Sequence, residues 1–315
     1  MHTKNKLLLL LGLVLILTAI FMFYSTGTNL DYVLKRRGFK IATIIIVSCC
    51  VAYSSVIFQT LTANKILTPS IMGFEAVYLL FQTVIVFMYG DKTYKVLTNS
   101  ENFFLSIVFM MLFAVVMYIL IFKKGGRNMF FLLLIGLILG TLFSTLSSFM
   151  QLVIDPNEFS IIEGMMFASF NKINLDLFWF AFAIMMAVFL IGYRYIKFLD
   201  VMALGKENAI NLGVNYNRMV QVFLLLISIL VAVSTALVGP ITFLGILVTN
   251  LTYELFKTQK HSILITACCL VSCISLIGGQ FLVEHLFNFS TTISIIINFI
   301  GGLYFLFLLM RTQKV

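Results

Sequence analysis

The residues in this chain with the clearest chemistry are few, and their spacing argues against a reaction centre. Its histidines, His2, His261 and His285, are too dispersed for a metal cluster. Its five cysteines, Cys49, Cys50, Cys268, Cys269 and Cys273, all stand inside apolar runs. They have neither metal-ligand spacing nor loop positions for a disulfide, so they read as small buried apolar side chains. No H-E-x-x-H and no paired aspartates supply an acid, a base or a ligand set, which sets aside a membrane-embedded enzyme. Gly205-Lys206 is followed by Glu207 and lacks the upstream glycine of a phosphate-binding loop, so the chain has no such nucleotide site of its own. Three carboxylates, Glu75, Glu254 and Glu284, lie near apolar runs and toward their ends. An acid inside a membrane is a functional candidate by default. Glu75, in MGFEAVYLL, reads either that way or as a hydrated residue near the cytoplasmic end of a span.

The polar stretch that organises the chain is Leu199 to Met219, LDVMALGKENAINLGVNYNRM. It reads as two short helices at a corner, Asp200–Leu204 closed by Gly205 and Lys206–Leu212 closed by Gly213. Glycine just past a helical run takes the left-handed cap without a Cβ penalty. Met202, Leu204, Ile210 and Leu212 would then be apolar knobs on a wet surface, a platform suited to docking a soluble partner. An ordinary amphipathic loop is the plainer alternative.

These elements must be carried by spans. The chain has 315 residues, 61% hydrophobic and 10% charged, far from the roughly 25% charged residues of a soluble domain. It therefore reads as an all-α integral membrane protein, a single domain over 1–315. Apolar runs near 20 residues favour helices over barrel strands, which would alternate with period two. Ten spans follow, at about 7–26, 40–61, 70–90, 103–122, 129–152, 177–198, 219–238, 241–256, 262–282 and 290–310, with a partly helical connector at 153–176. With both termini inside, fourteen of the 21 lysines and arginines fall on the cytoplasmic side, as the positive-inside bias requires. The 199–219 stretch lies on that side. The net charge of +9 is spread over loops and does not suggest nucleic acid.

One outer segment runs against the bias: LKRRGFK, Leu34 to Lys40. It reads as a snorkelling anchor at the headgroups or as a cationic dock for an acidic partner, where complementary charge sets orientation and on-rate.

At this point the motifs converge. ALGKENAINLGV (Ala203–Val214), VGPITFLGILV (Val238–Val248), LLLIGLILG (Leu132–Gly140) and SSVIFQ (Ser54–Gln59) ahead of TPSIMG (Thr68–Gly73) occur in the order, and with the residues, of the FecCD-type permeases of type II ABC importers. The chain resembles that family over about residues 37 to 311, and within it most resembles the branch for catecholate-type iron chelates. The resemblance implies ten helices per subunit, a two-subunit pore, two ATPase subunits beneath and an extracytoplasmic binding protein outside. ATP and magnesium would belong to the ATPase, and this chain would bind no cofactor or metal.

The resemblance also implies roles. Leu204, Gly205, Glu207, Ala209, Leu212 and Gly213 match the coupling segment, placed at 199–217. Arg37 and Lys40 fall on the family's outer R-L-P-R pair, here R-G-F-K, as contacts to acids of the binding protein; lysine lacks arginine's bidentate fork. Gly136, Gly140, Ser144 and Ser147 form a small-residue stripe that either packs against a neighbour or lines the pathway. Thr291, Thr292, Ser294, Asn298, Gly301 and Gly302 give the tenth span a polar, flexible face at the same pathway, and Asn128 and Met129 lie near a cytoplasmic gate. The eighth span lacks the family's proline, histidine and arginine after Gly245, which fits a heterodimer with a non-identical permease, a homodimer being the alternative. A haem or cobalamin permease of the same family, and an ion-coupled secondary transporter, remain as alternatives.

Overall fold

The computed structural model describes residues 3–24, 30–93, 98–122, 129–171 and 173–312. Within them the chain forms α1 (Thr3–Phe23), α2 (Leu30–Thr62), α3 (Phe74–Tyr89), α4 (Asn99–Phe122), α5 (Met129–Val153), α6 (Pro156–Met166), α7 (Leu175–Met202), α8 (Lys206–Asn211), α9 (Tyr216–Val238), α10 (Leu244–Leu255), α11 (His261–His285) and α12 (Ile293–Thr312). Seven of these, α1, α2, α4, α5, α7, α9 and α11, are long and apolar enough to cross a bilayer. Apolar α3 and α12 and the 12-residue α10 complete the ten expected crossings. The short helices α6 and α8 lie between spans.

The chain's two ends are sorted by side-chain contacts. At one end Lys6 Nζ donates to Leu255 O (2.7 Å), and Gln59 and Asn250 both donate to Lys65 O. This gathers the start of α1 with the ends of α2 and α10 and the start of α11, beside the α7–α9 elbow. At the opposite end lie Arg37 against the last turn of α1, Lys40 against Glu284, and Ala168 against Ser294. The elbow thus shares an end with the chain's N-terminal helix start, as the loop charges require.

Helix α2 begins ten residues before the expected span, so LKRRGFK is helical and not a loop. Lysine and arginine are good helix formers, and Gly38 costs only about 1 kcal/mol. At 33 residues α2 is about 50 Å long and stands proud of the hydrocarbon core on the outer side. It is also the most enclosed span, with 72% of its apolar stretch buried, followed by α9 at 61%, against 17% for α1 and for α5. The centre of the subunit is therefore α2 and α9 with α11, and α1, α4, α5 and α7 stand around it.

Two spans are interrupted. The third expected span is helical only from Phe74; before it Pro69–Met72 makes a 3-10 turn closed by Gly73 at φ 89°. Proline at the turn's first position and a glycine in left-handed backbone explain the break. The second is the eighth expected span, entered through the turn 239–243 after α9 and helical only from Leu244. The first elbow is seated on α5: a Cβ on Gly136 would stand 2.9 Å from Met72 Cα, and one on Gly140 3.1 Å from Gly73 Cα. Nearby, Thr83, Ser147 and Gln151 bond one another at 2.8–3.1 Å and join α3 to α5, and Gln82 donates to Ser106 at 3.0 Å to join α3 to α4. Small residues and interhelical hydroxyl or amide bonds are what hold helices together where burial of apolar surface supplies no drive.

Gly136→Val should destabilise the folded protein by about 1–3 kcal/mol, because the added methyls meet backbone that cannot move aside. Gly164→Ala, on α6 with open space around it, should be neutral or stabilising by about 0.5–1 kcal/mol. Thermal unfolding of the purified variants in one detergent separates the two.

Candidate functional site

The elbow is built from α7, α8 and α9. Helix α7 runs unbroken from Leu175 through Met202, so Asp200–Met202 is the tail of a span and not a separate short helix. Only Lys206–Asn211 stands alone. Gly205 has φ 97° and ψ 161°, a region open essentially to glycine, and it turns the chain from α7 into α8. At the far end Gly213 (φ 82°) donates to Ile210 O and Val214 donates to Ala209 O, closing α8 with paired reverse bonds. Ala209 is fully buried under α8 and fixes its underside. Leu204, Ile210 and Leu212 point outward at 58%, 51% and 63% exposure, while Met202, expected as a fourth knob, is buried. Glu207 is exposed in the first turn of α8. Beside the elbow a cavity of about 1100 Å3 opens, lined among others by Lys65, Lys206, Tyr216, Tyr253, Lys257 and His261.

The elbow's root is held by residues that sequence reasoning did not single out for it. Asp200 Oδ1 accepts from the backbone N–H of His261 (2.8 Å) and faces its Nδ1 at 2.7 Å. The other ring nitrogen, Nε2, lies 2.9 Å from Thr60 Oγ1 on α2. Lys260, at the N-cap of α11, makes no side-chain cap. Asp200 therefore caps α11 from another helix, and buried His261 ties the last turn of α7 to both α11 and α2. Partners 61 and 201 residues apart leave no local pattern.

The outer cations divide. Arg37 Nη1 donates to the carbonyls of Phe21 (3.0 Å), Met22 (3.1 Å) and Tyr24 (2.7 Å), so it closes the C-terminal end of α1. Lys40 is buried in an ion pair with Glu284, which also accepts from Gln280 at 2.7 Å. Lys35 and Arg36 of the same segment are exposed.

The pathway candidates also separate. Gly136, Gly140 and Ser147 face inward, onto the 69–73 elbow and α3, whereas Ser144 lies on the exposed side of α5. On that side it is joined by Thr141, Thr145 and Ser148, a polar stripe at helical spacing that the small-residue pattern did not reveal. In α12, Gly301 is packed on Phe243, and Ser294 donates to Pro240 O and accepts from Ala168 N. Asn298 is half-buried and its Oδ1 has no bonded partner. Asn128 lies outside the described residues; Met129 begins α5. Glu75 lies at the level of Gly136 and Gly140, well above the cytoplasmic end where it was expected, and is half-buried. The five cysteines are free thiols, and the described residues hold no group of three or more His, Cys, Asp or Glu placed to bind a metal ion.

Replacing Asp200 with alanine removes the cap of α11 and strands the buried His261 ring and N–H. Asp200→Ala should cost about 1–3 kcal/mol, the penalty of unmade buried hydrogen bonds, and Asp200→Asn, which keeps an acceptor, should cost less. Thermal melts of the two purified variants give the comparison.

The model of the FecCD transport family matches residues 6–311. The petrobactin import system permease protein YclO of Bacillus subtilis is 51% identical over 314 residues, covering 100% of this chain and 99% of that one. FatC of Bacillus anthracis, also a petrobactin import system permease protein, is 33% identical over 89% of this chain and 79% of its own. A second B. subtilis protein of that description, YclN, is 23% identical over 98% of this chain and 99% of its own. Among solved structures, an inward-facing conformation of a metal-chelate type ABC transporter superposes with a TM-score of 0.86 at 23% identity, covering 98% of this chain and 100% of that one. With ten helical crossings, the glycine-bounded elbow and a match running nearly end to end, this chain belongs to the FecCD transport family, as a multi-pass membrane protein.

Proposed function

We propose that the chain is the permease subunit of an ATP-driven importer that carries a ferric siderophore of the petrobactin type into the cell. The observation that carries this reading is the full-length, 51% identity to a petrobactin import permease. Energy enters at the elbow, where one of the importer's two ATPase subunits, with bound ATP and magnesium, docks on this chain. Leu204, Ile210 and Leu212 enter a cleft on the ATPase, Gly205 and Gly213 set the angle of α8, and Ala209 roots it. Glu207 stands at the helix's exposed first turn as a polar contact.

The partner permease is a different chain. Of the B. subtilis petrobactin permeases YclO and YclN, this chain is 51% identical to the first and 23% to the second, which supports one member of a non-identical pair. The partner covers the exposed side of α5, and Thr141, Ser144, Thr145 and Ser148 with Asn298 of α12 then face the conduit. Gly136, Gly140, Ser147 and Gly301 hold those two helices in place from behind. A carboxylate-coupled secondary transporter would put ion ligands in such a conduit; the α5 stripe carries hydroxyls only.

In cells deleted for the gene, the wild-type chain should restore uptake of radio-iron petrobactin. Leu204→Asp and Leu212→Asp together should abolish it, and the ATPase should no longer co-purify while the permease stays folded in the membrane. Uptake that persists with the ATPase still bound would remove the elbow from the mechanism.

An extracytoplasmic binding protein delivers the chelate to the outer face. Lys35 and Arg36 supply the accessible charge for it, and Arg37 and Lys40 hold α1, α2 and α11 in the geometry that presents them. Lys35→Glu with Arg36→Glu should slow association of the binding protein and flatten its salt dependence, the signature of a rim charge. Association rates measured at several salt concentrations test this; unchanged rates would leave these cations as headgroup anchors.

A further inference from the structure

The two interrupted spans meet through one side chain. Glu75, in the first turn of α3, accepts from Ser70 Oγ at one carboxylate oxygen (2.7 Å) and from Thr242 Oγ1 at the other (2.7 Å). Ser70 belongs to the 69–73 elbow and Thr242 to the 239–243 break, 167 residues away from Glu75 in the chain. Each break is also seated on a glycine of a further helix. Met72 and Gly73 rest on Gly136 and Gly140 of α5, and Phe243 rests on Gly301 of α12, where a Cβ would stand 3.0 Å from Phe243 Cβ. One carboxylate thus completes a continuous line of contacts from α5 through the two breaks to α12.

The location makes the bonds count. Gly136 and Gly140 are seven and eleven residues into α5, about 10–17 Å from its start, so Glu75 is at mid-depth, where an acid must be compensated. Among the described residues no lysine, arginine or histidine bonds to it. Its compensation comes from the two hydroxyls and from the N-terminal end of α3, whose second residue it is; Gly245, in the first turn of α10, lines the same small cavity. Beside it is a cavity of about 30 Å3, room for one or two waters. Ser54, Ser55, Thr68, Ser234 and Thr235 line that cavity together with Glu75 and Thr242. Ser54 and Ser234 donate to carbonyls of their own helices, so Ser55, Thr68 and Thr235 are the hydroxyls next to the ones the carboxylate uses.

We propose that Glu75 is a positioning residue for transport, a tie between the two helix breaks whose bond to Thr242 exchanges for hydroxyls of the adjoining cavity as the conduit changes state. With the bond made, the seats on α5 and α12 move together; with it exchanged, each break follows its own helix. Such an element has two discrete arrangements and touches both walls, which is what coupling across a pathway requires. The inference rests on the reading that α5 and α12 flank the conduit of an ATP-driven importer.

The test uses the assembled importer, with the partner permease, ATPase and binding protein, in proteoliposomes, and ferric petrobactin as the probe. Thr242→Val keeps the side chain's shape and deletes one hydroxyl. It should lower petrobactin uptake about tenfold, the scale of one hydrogen bond to a charged group, while ATP hydrolysis continues, so that transport per ATP falls. Thr242→Ser should restore the ratio. Glu75→Ala should reproduce the loss, and Glu75→Ala with Thr242→Val should be no worse than the poorer single variant, as for two members of one interaction. A transport-to-ATP ratio unchanged in Thr242→Val, additive losses, or losses that merely follow a lowered unfolding midpoint would overturn the tie. Failure of the wild-type complex to take up petrobactin with ATP would overturn the importer reading and the tie's role with it; normal wild-type uptake beside unaffected variants would overturn the tie alone.

Discussion

Backbone N–H and C=O groups inside a bilayer have no water to bond, so every break in a spanning helix must be repaired by the protein itself. This chain breaks two spans and repairs both from within. At the first elbow the backbone bonds run Ile71 to Thr68, Gly73 to Ser70 and Val77 to Gly73, a tight ladder that carries the chain from 3-10 turn into α3. At the second break the repair comes from other elements: Ser294 Oγ donates to Pro240 O, and Ser169 N donates to Val238 O at 2.7 Å. Both places also need close backbone approach: Gly136 and Gly140 of α5 admit Met72 and Gly73, and Gly239 admits the backbone of Phe167 and Ala168. The same constraint that forbids free breaks in lipid therefore decides where α3, α5, α10 and α12 sit.

The enclosed helices carry a second consequence. Helices α2 and α11 pack along one another and are pinned at both ends by polar contacts, Lys40 with Glu284 outside and Thr60 with His261 inside. An enclosed ion pair repays its desolvation only with good geometry and further bonds, and removing either partner strands the other. Here Gln280 supplies a further bond to Glu284. At the inner end Asp200 adds the root of the elbow to the same pair. The last turn of α7, five residues before Gly205, is thus tied to α11 and α2 through bonds of 2.7–2.9 Å.

Much of this was legible in the sequence because it is governed by local pattern. Ten apolar runs, the loop charges and the glycines at 205 and 213 each act through their own neighbours, and the spans and elbow follow from them. The start of α2 was misplaced because charged residues ended the apolar run before they ended the helix: Lys35, Arg36 and Arg37 favour helix while leaving the hydrocarbon. The first elbow was hidden because TPSIMG is apolar enough to be counted into a span, though Pro69 and Gly73 held the signal for a break. Arg37 and Lys40 looked available because their partners, the carbonyls closing α1 and the carboxylate of Glu284, are set by tertiary packing. The stripe at 136, 140, 144 and 147 was read as one surface, yet it straddles two sides of α5: each spacing of four advances about 40° around a helix of 3.6 residues per turn and carries Ser144 off the inner face, and the spacing of three brings Ser147 back.

That drift explains how one helix serves two purposes. Through Gly140, α5 gives its small residues to the 69–73 elbow, because only a surface without Cβ atoms admits the backbone of Met72 and Gly73. Beyond Gly140 the elbow has passed, and Ser147 turns to bond Thr83 while Thr141, Ser144, Thr145 and Ser148 come round to the free side. Thr141 and Thr145 bond their own helix carbonyls there, so their hydroxyl oxygens present acceptors without an unmet donor. Such a surface is wettable but offers no fixed charge to hold a passing solute. The conduit proposed for a bulky polar chelate would need that combination, because a wall that bound the solute tightly would also retain it.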